Sequence, residues 1–467
     1  MLRSRWCLVA FSASVATLLA LSAAAADAPA DADQGTRLAT FACDVTPPLG
    51  HPLCGGWIKP VLGVDDPELA KGVVLRDSGG TYVLCVVDWC ELRSDAYDLF
   101  RRALAEAAGT TPARVAVQCL HAHNAPITDR RAQELLSKEQ DPPLHADLAF
   151  LDAAAARVAA AAKAATASWR PVTHVGAGAA RVDRVASNRR VRAPDGKILV
   201  RYSSTKDPAL WEAPEGLIDP WVRTVGFFDG EKPLAYFHYF ATHPQSYYGD
   251  GRVTYDVPGI ARERLEKETG VFQLYFTGCA GDVTFGKYND GTPPRRGELA
   301  ERVYEALRLS VAAVDRRPVG PISWSVLPVS LPSRTEPAFG EAANRTRIAD
   351  VKASPADRLQ SALQLAWLER CKADRPIELT CLALGSIRLL HLPGEPFITF
   401  QLEAQRLRPD LFVAVAGYGD CAMGYICTEA SYAEGGYEPT ASSLAPASEH
   451  CFREAIARLI LGDGAHK

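Results

Sequence analysis

Hydrophobic residues along the chain fall into short apolar runs that alternate with amphipathic segments. Residues 81–89 form an apolar, β-branched run, which predicts a buried strand. Residues 94–109 have helical periodicity, with Ser94 as the expected N-cap and Gly109 as the expected stop. A second apolar run covers residues 113–124. This strand, helix and strand predict a β-α-β unit with parallel pairing.

The same alternation continues through the later part of the chain. The pair Asp229-Gly230 separates two apolar runs and predicts a hairpin over residues 224–244. Further helices are predicted over 145–168, 256–270, 296–314 and 356–373, and further strands over 271–282, 317–331, 376–395 and 411–428. We therefore expect an α/β fold with a mixed β-sheet core flanked by helices, in a single large domain over residues 37–464.

The beginning of the chain has the pattern of an export signal. Arg3 and Arg5 precede an apolar stretch, and small residues occupy positions 23–26. This pattern predicts a cleaved signal peptide over residues 1–26, followed by an Ala/Asp linker over residues 27–36. An uncleaved membrane anchor is the alternative, but the polar linker favours cleavage. We expect an exported protein, periplasmic or secreted, with no transmembrane segment in the mature chain.

Charge and cysteine content narrow the function classes further. The formal net charge of −4 gives no basic surface for a nucleic acid partner. The cysteines lack CxxC spacing, which argues against a thiolate zinc cluster. Cys371 with Cys381, or Cys421 with Cys427, are close enough in sequence to pair, and the favoured interpretation is buried apolar cysteines with one or two bridges at most.

Polar residues with metal-binding side chains follow several of the predicted strands. His121 and His123 end one strand, His243 ends another, and Glu395 follows a third. Two imidazoles and a carboxylate are a ligand set that catalytic zinc prefers. Side chains two residues apart on a strand point to the same face, so both histidines of the pair are expected in one pocket. From the residues alone, a metal site and ordinary strand-end packing are about equally supported.

Six short motifs, in order, resemble those of the neutral/alkaline (non-lysosomal) ceramidases, which are zinc-dependent amidases. The motifs are CDVTPPLG (43–50), LHAHNAP (120–126), FATHPQS (240–246), GCAGDVT (278–284), LPGEPF (392–397) and GYICTEASYAEGGYE (424–438). The resemblance implies a zinc-dependent hydrolase that cleaves the N-acyl amide bond of ceramide or a related N-acyl lipid. Its partner would be that small, lipid-like substrate.

The resemblance also implies a role for individual residues. His121, His243, Glu395 and Tyr425 match the family's zinc ligands, and His123 matches a histidine that faces the substrate. Arg189 matches an active-site arginine, although the alignment there leaves Arg190 as an alternative. Thr284 stands where the family has an active-site serine. Asp88 and Asp282 are candidates for orienting a ligand histidine, as metal-bound imidazoles usually require, although a strand-end cap or turn role is the favoured interpretation for both.

Two departures from the family widen the choice of substrate. Threonine in place of serine at position 284 keeps the hydroxyl but restricts its rotation. The larger ceramidases also continue into an immunoglobulin-like domain, for which no room is expected after Lys467. Another amide or ester substrate on the same scaffold therefore stays open, as does an exported binding protein without catalysis.

Overall fold

The computed structural model describes residues 35–462, and these form one compact unit. The predicted signal peptide and most of the predicted linker lie outside the described residues. The helices are α1 Ser94–Ala108, α2 Arg130–Leu136, α3 Leu148–Ala165, α4 Pro208–Glu212, α5 Asp256–Thr269, α6 Pro293–Ala312, α7 Glu341–Ala349, α8 Pro355–Lys372, α9 Ile398–Leu407, α10 Glu429–Glu434 and α11 Ser448–Leu461. The predicted α/β class is confirmed.

Strands are numbered in chain order. They are β1 Arg37–Asp44, β2 Gly63–Val64, β3 Leu69–Asp77, β4 Gly80–Val87, β5 Glu91–Arg93, β6 Val115–Cys119, β7 Ile127–Asp129, β8 Arg170–Pro171, β9 His174–Arg181, β10 Ser187–Asn188, β11 Arg190–Arg192, β12 Ile198–Val200, β13 Trp221–Asp229, β14 Lys232–Phe240, β15 Arg252–Val253, β16 Phe272–Thr277, β17 Val283–Thr284, β18 Asp315–Pro318, β19 Ile322–Val329, β20 Ile377–Leu384, β21 Ile387–His391, β22 Glu395–Pro396, β23 Phe412–Ala416 and β24 Tyr425–Ile426.

The long strands are distributed over three larger sheets. Their strand orders are β6-β4-β3-β1-β8, β16-β14-β13-β9-β18 and β19-β20-β21-β23. Each of these sheets is mainly antiparallel and contains one parallel pair: β4 with β6, β14 with β16, and β21 with β23. Helices α1, α5 and α9 provide the crossovers between the strands of these pairs. The predicted β-α-β unit is therefore the first of three.

The third sheet is buried on both faces, because alternate residues of its strands enter different cores. Leu382, Leu389 and Ala414 belong to a core shared with the first two sheets. Cys381 and Leu390 point the other way, into a second core that contains residues of α9 and α11. Apolar side chains on both faces explain the continuous hydrophobic runs in the sequence.

Two local predictions need correction. The strand predicted over residues 113–124 ends at Cys119, so neither histidine of the pair belongs to it. Ser94 is the first residue of α1 rather than its N-cap, and its hydroxyl has no hydrogen-bond partner among the described residues. Gly109 does end that helix, with φ of 64°, in the left-handed conformation that glycine adopts most easily.

The described cysteines are all free thiols, and most are buried. Neither Cys371 with Cys381 nor Cys421 with Cys427 is bridged. Cys371 is exposed near Ser333, whereas Cys381 is buried in the second core. The favoured interpretation, buried apolar thiols, agrees with this arrangement.

Across residues 35–462, every helix is too short or too polar to cross a bilayer.

Candidate metal centre

The carboxyl ends of the three parallel pairs meet at one place in the molecule. Backbone hydrogen bonds join the segments that follow them: Cys119 N donates to Tyr418 O (2.7 Å), and Gly417 N donates to Thr277 O (2.9 Å). The Gln118 side chain donates to the carbonyl oxygens of Leu392 and Gly417. Loops from all three sheets are thus held against one another, as is common at the carboxyl ends of parallel strands.

Two histidine side chains lie where these loops meet, and the hydrogen bonds of each imidazole show which ring nitrogen carries the proton. His121 Nδ1 lies 2.9 Å from Cys90 O, and His243 Nδ1 lies 2.9 Å from Ala280 O. A carbonyl oxygen only accepts, so each Nδ1 carries the proton and each Nε2 keeps its lone pair. These carbonyls, rather than Asp88 or Asp282, orient the two imidazoles. Asp88 instead binds Leu69 N and Arg262, and Asp282 binds Ile398 N at the start of α9, in agreement with the favoured structural role of both aspartates.

The free atoms of His121, His243 and Glu395 converge. The two Nε2 atoms are 3.0 Å apart, and Glu395 Oε2 lies 3.2 Å and 3.4 Å from them. Glu395 Oε2 is buried and has no hydrogen-bond partner among the described residues. Burial lowers the pKa of His121 to about 4 and that of His243 well below its usual range. Two imidazole lone pairs that face each other at 3.0 Å without a proton between them repel, unless a cation lies between them.

This donor set fits a zinc ion. Two neutral imidazole nitrogens and one carboxylate oxygen are a common zinc ligand set, with an open position when the site is catalytic. The backbone carbonyls behind both imidazoles supply the outer contacts that such ligands need. Burial also raises the pKa of Glu395 to about 7, because the carboxylate is poorly solvated there and the charges of Arg189 and Arg93 compensate only part of this cost. A cation at this point would compensate that cost.

A second cluster, Cys90 with His121 and His123, is also close enough to hold an ion. Its donor atoms are less suitable. His121 Nδ1 and His123 Nδ1 are already bonded to carbonyl oxygens, and burial raises the pKa of the Cys90 thiol well above its usual range. Zinc binds the thiolate, so the first cluster is the better metal site.

His123 lines the same cavity, but not for the reason that the sequence suggested. The residues beyond Cys119 are not a strand, and His121 has φ of 71°, so strand alternation does not explain the shared orientation. His123 Nδ1 donates to His121 O (3.0 Å). Its Nε2 has no partner among the described residues and is left for a ligand. Burial lowers the pKa of His123 to about 3, which keeps the ring neutral.

Of the two candidate arginines, Arg189 lines the cavity and Arg190 does not. Arg189 Nε donates to Glu438 (2.8 Å), and its Nη2 donates to Gly281 O. Its guanidinium stacks over the rings of Tyr425 and Tyr437, at 5.1 and 5.3 Å from their centroids. Arg190 instead pairs with Glu434 and with Oε2 of Glu438, whereas Arg189 pairs with Oε1 of Glu438.

Two tyrosines complete the wall around the histidines. Tyr425 lies on β24, directly paired with Glu395 on β22, and its ring is parallel to that of His243 at 6.4 Å. Tyr418 was not predicted: it stacks on His121 at 4.1 Å, and its hydroxyl lies 3.3 Å from His243 Nδ1. Aromatic residues are frequent in that segment, so no sequence pattern distinguishes Tyr418 from them.

Thr284 lies behind the cavity wall and is not among the lining residues. It pairs with Ser187 in the small sheet of β10 and β17, and its hydroxyl accepts a hydrogen bond from Gly286 N (3.1 Å). Asp282 is also structural, since it accepts hydrogen bonds from Asn188 Nδ2 and Ile398 N. Both residues hold the segment that carries Arg189.

The cavity in front of the histidines has a volume of about 510 Å³. Its lining is largely apolar and aromatic, with a few polar groups, as in many small-molecule sites. The lining includes Trp57, Ile58, Ile127, Tyr202, Tyr248, Leu363, Met423 and Tyr437. It also includes Glu91 and Arg93, which were not identified as site residues from the sequence.

Comparison with known proteins identifies the fold. No protein-family model matches the sequence, and no curated protein matches it. Similar solved structures include neutral ceramidase from Pseudomonas aeruginosa and a ceramidase complexed with C2. Both have a TM-score of 0.69 and cover 92% of this chain and 75% of their own, at 16% and 15% identity respectively. The chain thus has the neutral ceramidase fold.

Proposed function

We propose that this protein is a zinc-dependent hydrolase that cleaves an N-acyl amide bond, in the manner of a ceramidase. The observation that carries the proposal is the convergence of His121 Nε2, His243 Nε2 and Glu395 Oε2 within 3.0–3.4 Å, with no proton between the imidazoles. The shared fold with neutral ceramidases supports the same reaction class. Ceramide or a related N-acyl lipid would give a fatty acid and an amine.

In this proposal His121, His243 and Glu395 hold the zinc ion, and Tyr425 is the fourth protein ligand. When bound, zinc lowers the pKa of a coordinated water and polarises the amide carbonyl. The Tyr425 ring is held beside the centre by its strand pairing with Glu395 and by the stacked Arg189.

Two further side chains act on the substrate. His123 Nε2 accepts a proton on the substrate side and hands it to the leaving amine, while Nδ1 stays bonded to backbone carbonyls. The positive charge of Arg189, held against Glu438, stabilises negative charge that develops on the carbonyl oxygen. Thr284, with its hydroxyl bonded to Gly286 N, would position the Arg189 segment rather than react.

Metal analysis tests the centre directly. Purified protein should contain one zinc per chain, and His243→Ala or Glu395→Ala should lose it. His450→Ala, which removes an exposed histidine on α11, is the matched control and should retain zinc. His123→Ala should keep zinc but lose hydrolysis of ceramide and short acyl amides. Wild-type protein without a tightly bound divalent metal would contradict the proposal.

We also propose that the protein is exported, with residues 1–26 removed as a signal peptide and residues 37–464 forming the hydrolase domain. The charged start, the apolar stretch and the small residues at positions 23–26 support this. Expression of the full sequence in a Gram-negative host, followed by N-terminal sequencing of periplasmic protein, tests it. A start near residue 27 is expected, and retention of Met1 on membrane-bound protein would contradict it.

A further inference from the structure

Glu91 and Arg93 lie on β5, the short strand that follows β4 and pairs with β7. Side chains alternate along a strand, so Glu91 and Arg93 share one face and Leu92 takes the other. Leu92 is buried in the main core, whereas Glu91 and Arg93 both line the cavity in front of the metal centre. The strand therefore directs a carboxylate and a guanidinium toward the position of the substrate.

The guanidinium of Arg93 has unused hydrogen-bonding capacity. Its Nε donates to Glu91, and within residues 35–462 neither Nη group has a hydrogen-bond partner. By contrast, both Nη groups of Arg201 donate to carbonyl oxygens, and both of Arg262 donate to Asp88. The Arg93 side chain is only 10% exposed, and that exposed part borders the cavity.

An open guanidinium fork in a largely enclosed cavity suits a planar anion. Arginine presents its N–H groups in a geometry that matches a carboxylate bidentately, and such charge-assisted bonds are about twice as strong as neutral ones. The charged lining residues are Glu91, Arg93, Arg189 and Glu395, and Arg189 is also paired with the buried Glu438. A divalent metal would make the loaded cavity positive, so an anionic ligand is electrostatically favoured.

We propose that Arg93 determines specificity by binding a carboxylate carried by the N-acyl substrate. This inference rests on amide hydrolysis at the His121–His243–Glu395 centre, and it deepens that function by naming the substrate class. Ceramide carries only hydroxyl and amide groups, whereas an N-acyl amino acid carries the carboxylate that the Nη groups lack. The apolar side chains of Ile127, Leu363 and Met423 line the same cavity and suit the acyl chain.

Matched substrates test the inference on zinc-loaded protein. N-decanoylglycine and N-decanoylethanolamine share the acyl chain and differ in a carboxylate against a hydroxyl. We expect wild-type kcat/KM to favour the glycine compound at least tenfold, and Arg93→Gln to reduce that ratio at least tenfold, mainly through KM. Arg93→Lys keeps the charge and should retain part of the ratio, and Arg308→Gln, an exposed arginine on α6, should leave it unchanged.

The position of the carboxylate is resolved by a third substrate, the N-methylamide of decanedioic acid, which carries the carboxylate on the acyl side. The comparison is kcat/KM for each charged substrate relative to that for N-decanoylethanolamine. If Arg93→Gln lowers this ratio only for the decanedioic compound, the carboxylate belongs to the acyl portion. Equal wild-type rates for charged and neutral substrates, or an unchanged ratio in Arg93→Gln, would overturn the proposal. The ratio is measured within each variant, so a general loss of folding or metal does not imitate the effect.

A binding measurement separates this inference from the proposed reaction. The ketomethylene analogue of N-decanoylglycine, in which CH₂ replaces the amide NH, cannot be hydrolysed. Calorimetry should show at least tenfold weaker binding to Arg93→Gln than to the wild type. If no amide is hydrolysed but this difference is present, the carboxylate site stands and the proposed reaction fails. Equal binding to both proteins would overturn the carboxylate site.

Discussion

A left-handed backbone at His121 turns its imidazole into the metal centre. His121 has φ of 71°, and Tyr418, which stacks on it, has φ of 62°. Residues other than glycine lose about 1–2 kcal/mol in this conformation. Neighbouring contacts hold both residues in place: His121 Nδ1 donates to Cys90 O, and Tyr418 N donates to Gly394 O. At the candidate site, this strained backbone conformation aims the two side chains.

This strain gives a prediction at position 121 that does not depend on metal. Asparagine tolerates the left-handed conformation, whereas β-branched valine does not. In metal-free protein we expect His121→Val to have a free energy of unfolding about 1–2 kcal/mol lower than His121→Asn, measured by urea denaturation. The same pair of substitutions at His123, where φ is negative, is the control. A similar difference at both positions would show that side-chain polarity, not the backbone, is responsible.

Residue types at the site were more predictable than their geometry. Two histidines and a glutamate at strand ends are recognisable as zinc donors in the sequence, and His121, His243 and Glu395 do converge. The left-handed turn at His121 is held by contacts with Trp89, Cys90 and Tyr418, which are distant in the chain and are not part of a local pattern. For the same reason Arg93 was missed: its neighbours in the sequence are ordinary, and only the fold brings it to the cavity.

At the scale of secondary-structure elements, the site is built from one motif, the β-α-β unit, which occurs three times. In each of three sheets a helix joins two parallel strands, and the loops after those strands carry the site residues. The sequence predicted the first such unit because strand, helix and strand follow one another within 40 residues or so. It did not indicate three sheets, because other pairings, such as β9 with β13 and β19 with β20, join strands that are distant in the chain.

The N-cap of α2 gives a pH prediction. Asp129 is buried and accepts a hydrogen bond from Ala132 N (2.9 Å), and burial raises its pKa to about 7. The folded state therefore binds this proton more tightly than the unfolded state, so Asp129 lowers stability as pH rises from about 4 to 7. Asparagine caps equally well without a charge.

We expect Asp129→Asn to gain stability relative to the wild type by about 2–3 kcal/mol between pH 5 and pH 8, from the protonation linkage. Denaturant unfolding at both pH values measures this gain. Asp147→Asn, at the partly exposed N-cap of α3, is the matched control for replacing a capping aspartate. A stability difference that stays constant with pH would mean that Asp129 is ionised in the folded state throughout this range.

For the whole molecule, the three candidate ligands connect parts of the chain that are far apart in sequence. His121 follows the first sheet, His243 the second and Glu395 the third. The third sheet also separates the two hydrophobic cores. A bound ion at this point would couple the sheets, and the coupling would be lost only when the sheets separate during unfolding.

Metal removal should therefore destabilise the entire fold rather than one loop. A ligand at one hundred times its dissociation constant adds about 2.7 kcal/mol to the free energy of unfolding. We expect dialysis against a chelator to lower the thermal midpoint by several degrees in a single transition, and added zinc to restore it. In His243→Ala the chelator should have no effect, because one donor is already missing. A chelator effect that persists in this variant, or a separate low-temperature transition in the wild type, would place the stabilising ion elsewhere in the molecule.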